Sequence, residues 1–374
     1  MFREDSLRAQ TLATRLPAPA AALLRWAAAH TNVVMFVAGF LFDVVTIGRI
    51  DSRADLAIQL LYLLGLTALL LVQHREATGL WTPPAIVRRI WSYNVELLHF
   101  LYGGLLSAYV VLYFRSSTGA RPLLFFLLLV ALLVVNELPQ VRRAGGKLRL
   151  GLYAFCVLSF LNYFLPILVG AMGGWVFLAS LLVTTGLVWM LAGRLTSPAG
   201  GGDARRQLFA PAAVVLVAVA LLYVLRLVPP VPLSVTFQGI YHDVRRHPGG
   251  YTLVYEAAGR LRFWRRDSRP FRARPGDRVH YFLRVFAPAR FAQRIFTRWE
   301  HQRDGAWRTA NVVELPVRGG REAGFRTFAR KANYEPGRWR VTVETEDGRA
   351  LATVTFDIEH DGGSGERVWR TIEG

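Results

Sequence analysis

Tryptophan and arginine recur together in the last third of the chain, and their side chains could bind sugars or anions. An exposed indole ring offers an apolar face to a sugar ring, and a forked guanidinium binds carboxylate, sulfate or phosphate groups. We therefore predict a ligand-binding surface. Its candidate residues are Trp264, Trp307, Arg265, Arg266, Arg308, Arg338 and Arg340.

Two further tryptophans, Trp299 and Trp339, have a different interpretation. Each continues an alternating apolar face of a predicted strand, which is typical of a residue in the core of a sheet. Trp264 and Trp307 instead flank predicted turns. We therefore assign Trp299 and Trp339 to the core and keep Trp264 and Trp307 as surface candidates.

A second set of polar residues lies in or beside the apolar segments: Asp43, Arg49, Arg115, Glu137 and Asn162. An ionisable group inside a bilayer is costly, so its presence suggests a function. Asp43 is the strongest candidate, because it is the deepest and could pair with Arg49 or Arg115. We favour structural pairing over a proton or ion pathway, and we expect Asn162 to form a hydrogen bond between helices.

Known catalytic motifs are missing from the sequence. It contains no phosphate-binding glycine loop, no His-Glu-x-x-His pair, no Gly-x-Ser-x-Gly elbow and no Ser-x-x-Lys motif. The histidines lack the spacing of metal ligands. Glu344 and Glu346 share one strand face, and we expect both to pair with arginines. The sequence thus predicts a non-enzymatic protein with no metal and no cofactor.

Long apolar segments occupy the first 228 residues. A helix of about 17–25 apolar residues crosses the hydrocarbon core of a membrane, and soluble helices are rarely apolar on every face. We predict seven spans, at Thr31–Gly48, Leu56–Val72, Val95–Phe114, Pro122–Leu138, Leu150–Met172, Trp175–Ala192 and Leu208–Val228.

The basic residues predict how these spans are oriented. Fourteen Lys and Arg residues lie in the N-terminal segment and in alternate loops, against four in the remaining loops. Basic loops stay in the cytoplasm. We therefore expect a membrane protein with a cytoplasmic N-terminus and the lipid bilayer as its first partner. In a bacterium with two membranes, it would be an inner-membrane protein with a periplasmic C-terminal domain.

The chain thus divides into five predicted parts. Residues 1–30 form a cytoplasmic segment with an interfacial helix at Pro19–His30, and residues 31–228 form the helical membrane domain. Residues 229–232, Pro-Pro-Val-Pro, form a stiff, extended linker. Residues 233–360 form a β-domain, and residues 361–374 form a flexible, glycine-rich tail. A second interfacial helix, Pro84–Leu97, combines basic and aromatic residues.

Beyond the linker the apolar residues alternate with a period of two, which predicts strands. These are Leu233–Tyr241, Tyr251–Glu256, Arg278–Phe286, Arg294–Glu300, Arg308–Pro316, Gly324–Lys331, Arg338–Glu344 and Thr353–Ile358. The residues Glu346–Arg349 predict a hairpin turn. Eight short strands with such turns are typical of an antiparallel, immunoglobulin-like β-sandwich.

Several motifs in this region resemble a bacterial family catalogued as domain of unknown function 2914. They are Arg298-Trp299-Glu300, Asp304-Gly305, Trp307, Phe325–Phe328, Pro336–Val341, Asp347-Gly348-Arg349 and Phe356. The resemblance covers Val285–Glu359 and implies a membrane-anchored envelope protein, without implying an activity. Where the family shows a Trp-Ser-Ser-Lys-like run, this chain has Thr327-Phe328-Ala329-Arg330-Lys331.

Composition limits the class of partner. The net charge of +19 is shared by both halves, with 26 Lys and Arg against 17 Asp and Glu in residues 232–374. A basic domain outside the cell attracts anions, but it does not meet nucleic acid there. We therefore predict a domain that binds a partner protein or an anionic or saccharide envelope polymer. The protein would act alone or as a subunit of a larger membrane complex. The alternative is a transporter or intramembrane enzyme that uses Asp43, with the sandwich as an accessory domain.

Overall fold

The computed structural model describes residues 40–48, 51–116, 120–136, 145–196, 201–257, 265–288, 291–320, 324–363 and 366–374. The chain divides into two units, Met1–Gly48 and Arg49–Gly374. In the first unit, residues 40–46 are helical. The rest of the predicted first span, and the predicted interfacial helix Pro19–His30, lie outside the described residues.

Seven helices follow among the described residues of the second unit. They are α1 (Arg53–Ala77), α2 (Ala85–Trp91), α3 (Asn94–Arg115), α4 (Ala120–Asn136), α5 (Gly146–Val169), α6 (Gly174–Arg194) and α7 (Gly201–Val224). Five of them, α1, α3, α5, α6 and α7, are long and apolar enough to cross a membrane. Helix α4 is shorter, with an apolar stretch of Leu123–Val134. Helix α2 occupies half of the predicted interfacial segment Pro84–Leu97.

The central helices α3 and α5 are joined by a row of tyrosines. Tyrosines on one face of α3 donate hydrogen bonds to backbone carbonyls of α5, because residues seven and four apart lie on the same side of a helix. The pairs are Tyr102 with Arg149 at 2.8 Å, Tyr109 with Cys156 at 2.9 Å and Tyr113 with Ser159 at 3.3 Å. These bonds satisfy hydroxyl groups that would otherwise be buried without a partner.

Eleven strands follow in the described C-terminal region. They are β1 (Ser234–Tyr241), β2 (Asp243–His247), β3 (Gly250–Glu256), β4 (Phe271–Ala273), β5 (Val279–Phe286), β6 (Ala292–Arg303), β7 (Ala306–Arg318), β8 (Phe325–Lys331), β9 (Gly337–Thr345), β10 (Ala350–His360) and β11 (Trp369–Glu373). They form three sheets with the orders β1-β5-β8, β4-β10-β9-β6-β7 and β11-β3-β2. All eight predicted strands are present, although several boundaries differ by a few residues.

Two apolar clusters separate these sheets. The larger contains Tyr281 and Leu283 of β5 together with Trp299 of β6 and Val341 of β9, so it lies between the first and second sheets. The smaller joins Phe282, on the opposite face of β5, to Leu253 of β3. Alternate residues of β5 thus face two different cores, which explains why this strand is apolar almost throughout.

The sequence missed three short strands, β2, β4 and β11. Strand β11 pairs with β3 in antiparallel register, so the prediction that residues 361–374 form a flexible tail is wrong for Trp369–Glu373. The preceding Arg367 anchors this segment, because it donates to Asp277 Oδ2 at 2.8 Å and its side chain is only 7% exposed. A five-residue strand after a glycine-rich stretch has too few alternations to be recognised from sequence.

The proline-rich linker is a buried turn. Val231 N donates to Pro229 O at 2.9 Å and Leu233 N to Pro230 O at 3.2 Å. Every residue from Val228 to Leu233 is buried. The prediction of an extended connection is therefore wrong, because apolar packing at both ends of the linker outweighs the extended preference of proline.

The β9–β10 hairpin contacts the end of α7. Arg349, whose side chain is 5% exposed, lies 2.6 Å from Asp347 Oδ2, and its guanidinium lies 4.4 Å from the ring centroid of Tyr223 in α7. Burial alone would raise the pKa of Asp347, but the Arg349 charge and the Thr345 hydroxyl hold that pKa below its usual value. The motif Asp347-Gly348-Arg349 therefore joins the β-domain to the helices.

Candidate functional site

A cleft of about 470 Å³ opens beside Trp339, and we call it the Trp339 cleft. Strands β6, β7 and β9, the end of β8 and the loop between β8 and β9 contribute its walls. The lining residues are His301, Arg303, Arg308, Thr309, Ala310, Lys331, Asn333, Tyr334, Glu335 and Trp339.

Strand register brings these residues together. His301 of β6 pairs with Trp339 of β9 on one side and with Arg308 of β7 on the other. Paired residues in antiparallel strands project from the same face of a sheet. The register shift between Trp299 and Glu300 interrupts the β6–β7 pairing just before the cleft.

Two stacked rings form the floor of the cleft. The rings of His301 and Trp339 lie 4.5 Å apart with an interplanar angle of 11°. Trp339 is 3% exposed and donates its Nε1 proton to Glu335 O at 2.9 Å. Gly337, with φ of +128°, lies so close that a Cβ atom there would be 2.8 Å from His301 Nε2. The floor is therefore fixed from three sides, and its indole is not a free platform for a sugar ring.

Three cationic side chains surround this floor. Lys331 Nζ lies 5.2 Å from the Trp339 ring centroid and donates to Asn311 Oδ1 at 2.9 Å. Burial lowers the pKa of Lys331, which forms no ion pair with any residue that the structure describes. Lys331 therefore presents a partly desolvated charge to the cleft.

The other two cations lie at the rim. Arg303 contacts Glu335 Oε2 at 2.5 Å and donates from Nε to His301 Nδ1 at 3.2 Å. Arg308 is exposed, and its contact with Asp304 is a long 3.6 Å. Three cations face one carboxylate, Glu335, so the cleft carries a net positive charge.

This arrangement suits binding of an anionic group. The His301 imidazole accepts a hydrogen bond from Arg303 and is stacked on Trp339, and neither contact activates a serine, cysteine or water. Among the described residues, no group of three His, Cys, Asp or Glu side chains could hold a metal ion. A carboxylate, sulfate or phosphate group entering the cleft would meet Arg308 at the rim and then Lys331 beside the floor.

The structure separates the residues that the sequence predicted as one ligand surface. Only Arg308 lines the Trp339 cleft. Trp307, Arg338 and Arg340 belong to the opposite face of the sheet, because neighbouring residues in a strand alternate sides. Arg265 and Arg266 precede β4, where Arg265 donates to Arg269 O at 2.9 Å. Trp264 lies outside the described residues.

Acidic partners hold most arginines on that opposite face. Arg340 pairs with Glu300 at 2.7 Å and lies over the Trp307 ring at 4.4 Å. Arg298 pairs with Glu344, and Arg294 pairs with Glu346 at 2.7 Å. The expectation that Glu344 and Glu346 pair with arginines is confirmed. Burial of Trp299 (0% exposed) and Trp339 (3% exposed) confirms their assignment to the core.

The predicted intramembrane residues do not form one described cluster. Asp43 is half-buried in the middle of the helical residues 40–46, and Arg49 and Glu137 lie outside the described residues. Arg115 is exposed at the end of α3. Asn162 is buried in α5 and donates to the Tyr113 hydroxyl at 3.0 Å, which confirms the predicted hydrogen bond between helices.

Sequence reasoning missed His301, Arg303, Lys331, Asn333, Tyr334 and Glu335 as site residues. One signal was available: Lys331 is one of only two lysines in a chain of 45 basic residues, so its presence suggests a particular role. The others have no distinguishing spacing, since they come from β6 and from the loop between β8 and β9.

Comparison with known proteins gives one match of the C-terminal region. No curated protein matches the chain. Among solved structures, Pseudomonas fluorescens alkylpurine DNA glycosylase AlkC bound to DNA containing an abasic site analog is similar at 10% identity. That alignment covers 83% of this chain and 99% of that chain with a TM-score of 0.19, too low to support any argument. Residues 292–358 match the model of the family described as protein of unknown function (DUF2914), which confirms the resemblance drawn from the motifs.

Proposed function

We propose that this chain is a non-enzymatic protein of the bacterial inner membrane whose periplasmic β-domain binds an anionic envelope polymer or a protein partner. The observation that carries this proposal is the Trp339 cleft, where Lys331, Arg303 and Arg308 surround a fixed aromatic floor with Glu335 as the one carboxylate. The ligand contributes negative charge to a cleft whose described lining residues include three cations and one carboxylate.

The proposal includes seven spans and an outward-facing domain. Five described helices are long and apolar enough for this role. The distribution of basic loop residues supports a cytoplasmic N-terminus, and an odd number of spans then puts the β-domain outside. Five strands packed over β1-β5-β8 around one core support an immunoglobulin-like sandwich, to which β11-β3-β2 adds a third layer.

The contacts that hold the polar groups of the Trp339 cleft favour binding over catalysis. His301 and Trp339 are immobilised by stacking, and Arg303 is held by Glu335 and His301. Lys331 and Arg308 are the groups that can still gain a strong partner. A charge-assisted hydrogen bond contributes about 1.5–3 kcal/mol, so two of them support specific but reversible binding.

The test is a binding measurement on the full chain in lipid nanodiscs. The probe is a polyuronate such as alginate, and neutral dextran is the uncharged comparison. We expect salt-sensitive binding of the polyuronate that weakens about tenfold or more in Lys331→Gln/Arg308→Gln, since each lost contact of this kind is worth at least about 1.4 kcal/mol. The matched control is Arg338→Gln, an exposed arginine on the opposite face of the sheet.

A protein partner would give a different pattern in the same variants. It would co-purify with the wild-type chain at low salt and be lost from Lys331→Gln/Arg308→Gln but not from Arg338→Gln. If neither the polymer nor a partner responds to the cleft variants, the proposed site is wrong.

A further inference from the structure

A second pair of cations, on the other side of the β-domain, has no acidic partner among the residues that the structure describes. Arg284 of β5 lies directly opposite Arg326 of β8 in the antiparallel register. Like charges in directly opposed positions destabilise a sheet. A cross-strand pair of this kind therefore needs a compensating interaction.

Few contacts within the protein offset the repulsion between these two arginines. Arg284 lies over the Phe237 ring at 5.5 Å, and Arg326 donates to Gly249 O at a long 3.4 Å. Neither arginine takes part in any ion pair between described residues. The Nε atoms of both are buried without a hydrogen-bond partner. Burial, and then the charge of Arg326, lowers the pKa of Arg284.

Other arginines of the domain that are shielded from solvent do contact carboxylates, unlike Arg284 and Arg326. Arg349 and Arg367 are each 5–7% exposed, and each contacts a carboxylate within 2.8 Å. Arg340, at 30% exposed, contacts Glu300 at 2.7 Å. The half-buried pair Arg284 and Arg326 contacts no carboxylate among the described residues, and this difference points to a bound anion.

Glycines make room for both guanidinium groups. A Cβ at Gly324, where φ is +84°, would lie 3.0 Å from Arg284 Cγ. A Cβ at Gly250 would lie 2.8 Å from Arg326 Nη1. Any other residue at these positions would displace the arginine side chains, so the backbone is shaped around the pair.

The pair lies near the end of the domain where the chain leaves the helices. Arg284 pairs with Phe237, three residues after Ser234, the first residue of β1. At about 3.3 Å per residue this is roughly 10 Å along the strand. Residues 225–233, which include the turn 229–232, connect the end of α7 to Ser234. Under the proposed orientation, this end of the domain faces the phosphate groups of the outer leaflet.

We propose that Arg284 and Arg326 form a phosphate-binding site. Two forked guanidinium groups from adjacent strands can each donate two hydrogen bonds to one phosphate, which also neutralises their repulsion. The phosphate comes either from a lipid headgroup or from a soluble phosphate ester. The site is independent of the Trp339 cleft, and only the lipid source depends on the proposed membrane orientation.

The experiment uses the full chain in nanodiscs and has two arms. One arm compares discs of phosphatidylcholine alone with discs that also contain phosphatidylglycerol, with the lipid retained by the protein counted by native mass spectrometry. The other arm titrates inorganic phosphate and then glycerol phosphate into the phosphatidylcholine discs. The variants are Arg284→Gln, Arg326→Gln and the double variant, and the control is Arg330→Gln, an exposed arginine of the same strand β8.

We expect a phosphate ligand to bind at least tenfold more weakly to the double variant, with wild-type binding retained in Arg330→Gln and in Lys331→Gln. Preference for phosphatidylglycerol identifies a lipid source, and binding of the soluble phosphates alone identifies a soluble one. In a phosphate-free detergent, without phospholipid or added phosphate, the single variants should melt at or above the wild-type temperature, because repulsion is relieved. Equal binding by wild type and double variant in both arms, or a lower melting temperature of the single variants without phosphate, would overturn the proposal.

Discussion

Replacing Arg349 by methionine removes the cation that joins the β9–β10 hairpin to α7. The change keeps most of the apolar volume of the side chain but deletes the ion pair with Asp347 and the contact with the Tyr223 ring. Asp347 is then left without its partner in a half-buried position. We expect the hairpin to detach from α7 more often while the sheet itself persists.

The size of the expected free-energy cost follows from how far the Asp347 side chain is exposed to solvent. Removing one partner of a fully buried ion pair costs about 3–5 kcal/mol. The Asp347 side chain is 36% exposed, so water screens the remaining charge and roughly half of that cost applies. The lost cation–π contact adds about 0.5–1 kcal/mol. A total of about 2–3.5 kcal/mol corresponds to a roughly 30- to 400-fold rise in the open population.

Hydrogen exchange of the full chain in nanodiscs measures this opening. The relevant amides are those of Thr345, Gly348 and Arg349, which are bonded within the hairpin at 2.9, 2.9 and 3.2 Å. We expect faster exchange in Arg349→Met, partial recovery in Arg349→Met/Asp347→Asn, and no change in Arg338→Met. The lowered pKa of Asp347 means that the pair stabilises the native state above about pH 4 and loses this effect as pH falls through the native pKa.

Two results would refute this reasoning. If exchange at the hairpin rises less than about threefold, with wild-type behaviour elsewhere, Arg349 does not hold the junction. If β6 and β7 lose protection as much as the hairpin does, the residue supports the whole domain rather than one contact.

Two further predictions concern the two halves of the chain separately. Burial lowers the pKa values of His242 and His280, so the unfolded state binds protons more readily and the β-domain should lose stability as pH falls below about 6.5. Thermal melts between pH 7.5 and 5.5 should show this slope, which His242→Gln/His280→Gln reduces; stability that rises on acidification would contradict it. In the helices, a Cβ at Gly104 would lie 2.7 Å from the Tyr62 ring, so Gly104→Ala should cost about 1–3 kcal/mol. Gly186→Ala is the control, since nothing lies within 4 Å of its Cβ, and equal melting temperatures for the two variants would exclude close packing at Gly104.

The periodicity of apolar residues predicted most of the secondary structure. Segments of more than 20 apolar residues, such as α5, have few alternatives to a helix, and β9 shows a clear period of two over Gly337–Thr345. Short elements were not predicted, because they contain too few residues to show a period. Strand β4 has three residues, Phe271–Ala273, and owes its position to parallel pairing with β10, which local sequence does not encode.

The candidate site was predicted less well than the fold. The chemistry of Trp and Arg was anticipated, but adjacent residues such as Trp307 and Arg308 project from opposite faces of β7. Which of them reaches a cleft depends on how three strands align and on the register shift between Trp299 and Glu300. Long-range pairing of this kind is set by tertiary packing, so a single sequence could identify the residue types but not their grouping.

Labelling of a cysteine in the Trp339 cleft tests the central claim most directly. Cys156 is the chain's one cysteine and is buried in α5, so Asn333→Cys, in the exposed loop between β8 and β9, introduces a single accessible thiol at the cleft. Thr355→Cys, exposed on the face of the sheet opposite the cleft, is the control. In intact spheroplasts, a membrane-impermeant maleimide should label both thiols, and added polyuronate should protect only Asn333→Cys. Labelling that requires permeabilised cells, or protection of both positions alike, would contradict an outward-facing anion-binding cleft.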